Sequence, residues 1–289
     1  MKVLRAKSAG FCMGVSLALR QLDTALGDVP GASRARCGRL ATLGPVIHNP
    51  RVIEAYEDKG VVCFGESGEA EEGDTVLIRA HGVPREVEAD LVSRGVAVID
   101  ATCPRVKQAQ LAIAAERKKN GGALLLYGEA EHPEVRGLVS YAEGDAYVFL
   151  NMQELDAIRL DPAGQYFLAA QTTQDTVGFA PVCERVRERL GHDVPILNTI
   201  CDATRKRQAE VLELADLVSI LVVVGGSNSG NTRRLAEVAR GKGVRAVHVE
   251  DVTELVPELF AGAAVVGLTA GASTPREHID AVEAWLKKL

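Results

Sequence analysis

Residues 96–122 read VAVIDATCPRVKQAQLAIAAERKKNGG: an apolar β-type run, a single cysteine (Cys103), then an amphipathic helical pattern. A thiol at such a turn is a small core residue, a redox partner, a nucleophile or a metal ligand, and this segment alone does not choose. Two further stretches repeat the pattern. Residues 194–217, VPILNTICDATRKRQAEVLELADL, carry Cys201 at the matching point, and residues 1–26, MKVLRAKSAGFCMGVSLALRQLDTAL, carry Cys12. Internal similarity of this kind is read before any fold assignment.

The similarity continues downstream of each cysteine. A second strand and turn read LATLGPVIHNP (40–50), LLLYGEAEHPEV (124–135) and VVVGGSNSGNT (222–232). A third strand reads GVVCF, DAYVFL and VRAVHV. A fourth strand and turn read VLIRAHGVPRE (76–86), FLAAQTTQDT (167–176) and VGLTAGASTPRE (266–277). His81, Thr172 and Ser273 follow Cys12, Cys103 and Cys201 at nearly equal distances. Thr274 and Glu277 have capping-box spacing ahead of the last helix.

Short strands alternating with helices predict parallel sheets covered on both faces. The expected architecture is α/β, with three pseudo-equivalent modules of about four strands each, at the low end of ordinary sheet sizes. The boundaries divide the chain into residues 1–102, 103–200 and 201–289, with no Pro- or Gly-rich linker between them. Ligands of open parallel sheets bind outside the carboxyl ends of the strands. Cys12, Cys103 and Cys201 fall there, with His48, His81, His132, Ser229 and Ser273. A pseudo-threefold arrangement of the modules would bring three sulfurs to one point.

Composition bounds the remaining possibilities. With 47% apolar and 25% charged residues in 289, the chain has the make-up of a soluble globular protein. A formal net charge of −6 argues against a protein that coats nucleic acid. The opening MKVLRAKSAGFC lacks a signal-peptide core, and the most apolar stretch, LVSILVVVGG (217–226), is too short to span a bilayer. The expectation is a cytoplasmic protein without membrane insertion. Its six cysteines are then reduced thiols or ligands, not disulfides.

Three soft sulfur donors suit zinc or iron–sulfur chemistry. A 4Fe–4S cubane with only three cysteines keeps one iron open to act as a Lewis acid. Cys63, in an apolar run, and Cys183, on an expected helix, read as packing residues, and Cys37 is uninformative. The strand-end loops point to an anion. A lone loop histidine is usually a surface residue, but His48, His81 and His132 stand at corresponding strand ends. Imidazoles, hydroxyls and helix N-termini suit phosphate oxygens. GGSNSGNT (225–232) adds Ser229 and Asn231. It resembles a Walker A loop, except that Asn231 stands where that loop has lysine, which argues against nucleotide hydrolysis. Glu134 is either a proton relay beside an anion or an exposed helix-start glutamate, and spacing alone favours the second. Thr172 either orients a substrate hydroxyl or caps a helix.

AGFCMGV, GPVIHNP, RAHGVP, DATCP, HPEVRG, QTTQ, NTICDAT, NSGNT and TAGASTP occur in an order that resembles the IspH/LytB family, the 4-hydroxy-3-methylbut-2-enyl diphosphate reductases, from residue 9 to residue 275. The resemblance implies three α/β modules around a central iron–sulfur cluster. It also implies reductive removal of an allylic hydroxyl, giving isopentenyl and dimethylallyl diphosphate in the last step of the methylerythritol phosphate route. Carried over by motif, Cys12, Cys103 and Cys201 hold a 4Fe–4S cluster with one open iron. His48, His81, His132, Ser229, Asn231 and Ser273 hold the diphosphate, Glu134 supplies the proton, and Thr172 lies beside the substrate hydroxyl. Some members read Ser-Ser-Asn where this chain has Ser229-Gly230-Asn231; Gly230 still offers a backbone N–H and close approach. No flavin or nicotinamide fingerprint accompanies these motifs, so an external donor, ferredoxin or flavodoxin, is expected. A zinc-dependent phosphate-ester enzyme and a non-catalytic phosphometabolite-binding protein are the alternatives, and neither accounts for the ordered motif set.

Overall fold

The computed structural model describes residues 1–28, 38–47 and 49–289. In the first third of the chain run β1 (Lys2–Arg5), α1 (Met13–Asp28), β2 (Leu40–Leu43), α2 (Pro50–Glu57), β3 (Val62–Phe64), β4 (Thr75–Ile78), α3 (Arg85–Ser93) and β5 (Ala97–Asp100). The middle third holds α4 (Pro104–Asn120), β6 (Ala123–Tyr127), α5 (Pro133–Ser140), β7 (Ala146–Phe149), α6 (Met152–Ala157), β8 (Tyr166–Ala170) and α7 (Thr176–Leu190). The last third holds α8 (Asp202–Ala215), β9 (Ile220–Val224), α9 (Gly230–Gly241), β10 (Arg245–Val249), β11 (Val265–Ala270) and α10 (Arg276–Lys288).

Among the described residues the strands form three small sheets, ordered β3-β2-β4-β5, β7-β6-β8 and β1-β11-β9-β10, and their pairings are parallel. Ile196 adds an isolated parallel bridge to Leu168 of β8. The two four-stranded sheets share one order: the strand before a cysteine lies at the edge, beside the fourth strand, then the second and the third. The middle sheet keeps the last three and has only the Ile196 bridge in place of the edge strand, one strand fewer than expected. The pre-cysteine strand completes the sheet of the preceding residues. β1 has no preceding sheet, and its edge is taken up by β11 at the far end of the chain, in register Lys2↔Val265 through Arg5↔Leu268. The expected segment 1–102 thus does not keep its first strand.

The chain divides into two compact units. One comprises Met1–Val15, Ile47–Ile53 and Cys201–Leu289, and the other Ser16–Val46 and Glu54–Ile200. Within the second, alternate residues of β6 enter opposite cores. Leu124 and Leu126 pack with Val135 and Leu138 of α5 and Ile113 of α4, whereas Leu125 and Tyr127 pack with Phe179, Val182 and Val186 of α7. In the first unit, Val222 and Val224 of β9 face Ile279 and Val282 of α10, and Leu221 and Val223 face Leu235 of α9 and Val211 of α8. The two-residue strand period directs side chains to both faces, so every residue of β9 is buried.

Helix ends carry local signals that fix the strand-end loops. Pro104 opens α4, and Gly121 closes it with φ +68°. Asp175 caps α7 by accepting from the backbone N–H groups of Val177 and Gly178. The capping box expected at Thr274 does not form. Its hydroxyl donates instead to the buried Val224 carbonyl at 3.0 Å, and Pro275 stands at the N-cap. This loop is tight: a Cβ on Gly271 would lie 2.0 Å from Thr232 Oγ1.

Candidate active site

In the unit Ser16–Val46 and Glu54–Ile200, a chain of contacts links five of the expected residues. Cys103 is the N-cap of α4, and its backbone N–H donates to the Ala80 carbonyl at 3.0 Å, beside His81. The His81 and His132 rings meet edge to face at 5.2 Å. His132 caps α5, its Nδ1 accepting from the Glu134 N–H at 3.1 Å. A neutral His132 ring in that role carries its own hydrogen on Nε2.

Glu134 is 1% exposed, so the reading of it as an exposed helix-start glutamate fails. The Thr172 N–H donates to its Oε1 at 2.6 Å. Burial pushes the carboxyl up to about pH 7, against the pull of hydrogen bonds from the Thr172 backbone and side chain. Thr172 is itself buried and does not cap α7, a role taken by Asp175. Buried Gln171, which the sequence does not mark out, braces this pair of loops. Its N–H donates to the Tyr127 carbonyl at 2.9 Å, and its Oε1 accepts from the Glu129 N–H at 3.0 Å. A cavity of about 350 Å³ opens on neighbouring backbone, lined among others by Arg79, Gly82, Val83, Pro133 and Arg136.

In the other unit, Cys12 donates its backbone N–H to the Ala272 carbonyl at 3.1 Å, next to Ser273, and its sulfur accepts from the Val15 N–H at 3.5 Å. Cys201 is the N-cap of α8, and Ser229 the N-cap of α9, where its Oγ accepts from the Thr232 N–H at 3.4 Å. Gly230 and Asn231 form the first turn of α9, whose positive end suits an anion. The Nδ2 of Asn231 and the Oγ of Ser273 are buried without a hydrogen-bond partner. Such orphaned groups cost free energy unless a ligand satisfies them.

Arg207, missed in the sequence, is buried in the same unit. Burial lowers its affinity for a proton, and the nearby Cys12 and Cys201 offset this electrostatically. Its Nε is a buried donor without a partner. Two half-exposed thiols beside an incompletely satisfied guanidinium fit a pair of anionic sulfur ligands.

Among the described residues, no set of three or more His, Cys, Asp or Glu side chains is gathered to hold a metal ion. Cys12 and Cys201 belong to one unit and Cys103 to the other. His48 and Cys37 lie outside the described residues. Cys63 stands half-buried in β3, and Cys183 packs on the core under α7, where burial pushes its thiol up. Among the described residues no helix is long and apolar enough to cross a membrane.

The sequence matches the family model described as LytB protein over residues 3–287. A protein of Nitratidesulfovibrio vulgaris named 4-hydroxy-3-methylbut-2-enyl diphosphate reductase is 55% identical over 292 residues, covering 100% of both chains. One of Geotalea daltonii with the same name is 40% identical over 286 residues, covering 98% of this chain and 95% of its own. A solved structure of (E)-4-hydroxy-3-methyl-but-2-enyl diphosphate reductase, described as the terminal enzyme of the non-mevalonate pathway, aligns over 100% of both chains at 37% identity with a TM-score of 0.68. The fold also matches that of E-1-hydroxy-2-methyl-but-2-enyl-4-diphosphate reductase from Plasmodium falciparum. That match has a TM-score of 0.89 at 23% identity and covers 100% of this chain and 87% of the other.

Proposed function

The chain belongs to the LytB family, and from that premise we propose that it reduces 4-hydroxy-3-methylbut-2-enyl diphosphate to isopentenyl and dimethylallyl diphosphate, the terminal step of the non-mevalonate route. The observation that carries the chemistry is Glu134, a carboxyl buried at a strand end, held by Thr172 and titrating near neutrality. The reaction consumes two electrons and two protons. The allylic C–O bond breaks, the hydroxyl leaves as water, and a C–H bond forms.

Glu134 holds the proton for the departing oxygen. At neutral pH it is present in both forms, so it is able to donate and to be reloaded. The Thr172 hydroxyl, bonded to that carboxyl, sets the orientation of the substrate hydroxyl toward it. His81 and His132 offer imidazole N–H groups to the diphosphate, and His48 joins them by motif. Ser229, Gly230, Asn231 and Ser273 complete the anchor, supported by the orphaned donors at Asn231 and Ser273 and by the N-terminus of α9. Fixing the diphosphate lowers the orientational cost at the hydroxyl end.

Cys12, Cys103 and Cys201 would hold a 4Fe–4S cluster, which when bound would supply single electrons and Lewis acidity toward the substrate oxygen. The electrons come from an external donor such as ferredoxin or flavodoxin. The reaction takes place in the cytoplasm, where thiols stay reduced. The test is anaerobic incubation of the protein with the allylic diphosphate and a reduced viologen, products being resolved by mass spectrometry. Two dehydroxylated C5 diphosphates with matching viologen oxidation support the reading. Phosphate release without viologen oxidation, or binding without conversion, contradicts it.

A further inference from the structure

Arg207 lies in the second turn of α8, on the buried stripe Thr204, Arg207, Gln208 and Val211. Its Nη2 donates to the Gly10 carbonyl at 2.7 Å and its Nη1 to the Ala203 carbonyl at 3.2 Å. Gly10 stands two residues before Cys12, and Ala203 two residues after Cys201. One guanidinium therefore joins the two backbone segments that present these sulfurs. Glu210, the next inward turn of α8, reinforces the link by accepting from the Ser8 backbone N–H at 2.8 Å and from the Ser8 hydroxyl.

The position is unusual within the repeat. Aligned on the cysteines, the other copies place Ala109 and Ala18 where this copy has Arg207, and both alanines are buried. A repeat position built for a methyl group holds a guanidinium that is 5% exposed. Its hydrogen-bond acceptors are neutral carbonyls, and a buried cation is costly without an anion to compensate it. The groups that act on it electrostatically are Cys12, Cys201 and Glu210, and the Glu210 carboxylate is already bonded to Ser8, which leaves the pair Cys12 and Cys201 as the source of that anion.

We propose that Arg207 is a positioning residue of the cysteine ligand set: it ties the Cys12 loop to the start of α8, and its buried positive charge is the counter-charge of the two sulfurs when they act as thiolate ligands. This rests on the reading of Cys12 and Cys201 as cluster ligands. A cation held there favours the more negative, reduced state of the centre, so its loss lowers the reduction potential. Losing the two carbonyl bonds loosens the ligand loops and speeds metal release.

The experiment compares the full-length wild type with Arg207→Gln and Arg207→Lys, all purified anaerobically. The midpoint potential is read by EPR-monitored titration, and iron release by its rate of transfer to a chelator. Arg207→Gln is expected to shift the midpoint to more negative potential and to release iron about tenfold faster, the worth of the charge-assisted bond to Gly10 that links the Cys12 segment to α8. Arg207→Lys keeps the charge but not the two-pronged bridge, so its midpoint stays near wild type while its release quickens. If Arg207→Gln does not fold, Arg207→Lys alone decides: a wild-type release rate there overturns the tether. Arg207→Gln with wild-type midpoint and release overturns the proposal outright. A wild-type chain without iron and sulfide overturns instead the ligand reading on which the proposal rests.

Discussion

The backbone N–H of Thr172 donates to Oε1 of Glu134 at 2.6 Å, joining the end of β8 to the start of α5 and closing a carboxyl group away from water. Two opposing forces act on that carboxyl. Burial favours its neutral form, the Thr172 bonds favour its charged form, and burial prevails, leaving it near pH 7. The carboxyl is thus kept partly protonated at neutral pH, as a proton donor requires.

Glu134→Gln keeps the size and the acceptor while removing the proton. Turnover should fall by about 100-fold or more, with iron content and substrate binding unchanged. Stability gives an independent reading. The folded pKa lies above the ordinary 4.5, so stability is fully present below about pH 4.5 and is lost as pH rises through 7. Relative to Glu134→Gln, the wild type should lose on the order of 3 kcal/mol between those limits. Denaturant melts of both proteins at pH 5 and pH 8 measure this, and parallel pH dependence would remove the titrating carboxyl.

Thr172→Val deletes the hydroxyl and leaves the backbone bond. That hydroxyl stabilises the carboxylate, so its removal should move the Glu134 pKa above 7. The limb of the kcat/KM profile that reports loss of the Glu134 proton should shift to higher pH. An unshifted limb with reduced activity would mean that Thr172 acts on substrate alone.

Ser273→Ala separates folding from binding. The Ser273 Oγ is buried without a partner, so the apo-protein should melt at the same or a higher temperature once it is removed. Substrate affinity should nevertheless weaken by about tenfold or more, the worth of a hydrogen bond to a charged group. A lower melting temperature with unchanged affinity would assign the hydroxyl to the fold.

Cysteine substitutions sort ligands from packing residues. Serine at Cys12, Cys103 or Cys201 should abolish iron retention. Alanine at Cys37, Cys63 or Cys183 should leave it unchanged, with Cys183→Ala losing about 1 kcal/mol of stability from the core under α7. Iron loss in a folded Cys63→Ala protein would overturn the ligand assignment.

Much of this organisation is legible in the sequence because the repeat is. Each cysteine falls after a β-type run and before a helix, and the three sheets share the order of their second, third and fourth strands. The place of β1 is not legible, since its partner β11 is set by closure between the two ends of the chain rather than by any local signal. The burial of Glu134 is hidden for a similar reason: the Thr172 N–H that meets its carboxyl comes from a loop 38 residues further along the chain. In Thr204-Arg205-Lys206-Arg207 three adjacent cations read as a solvated face. Helical periodicity separates them, because only Arg207 falls in line with Thr204, Gln208 and Val211.

If Cys12, Cys103 and Cys201 serve an iron–sulfur reductase, the elemental content of the protein reports it. Iron, acid-labile sulfide and zinc should be determined per chain on anaerobically purified protein, alongside its visible spectrum. About four irons and four sulfides with a brown chromophore are expected. Zinc without sulfide in a colourless protein would contradict the cluster assignment and favour a phosphate-ester enzyme built on the same three thiols.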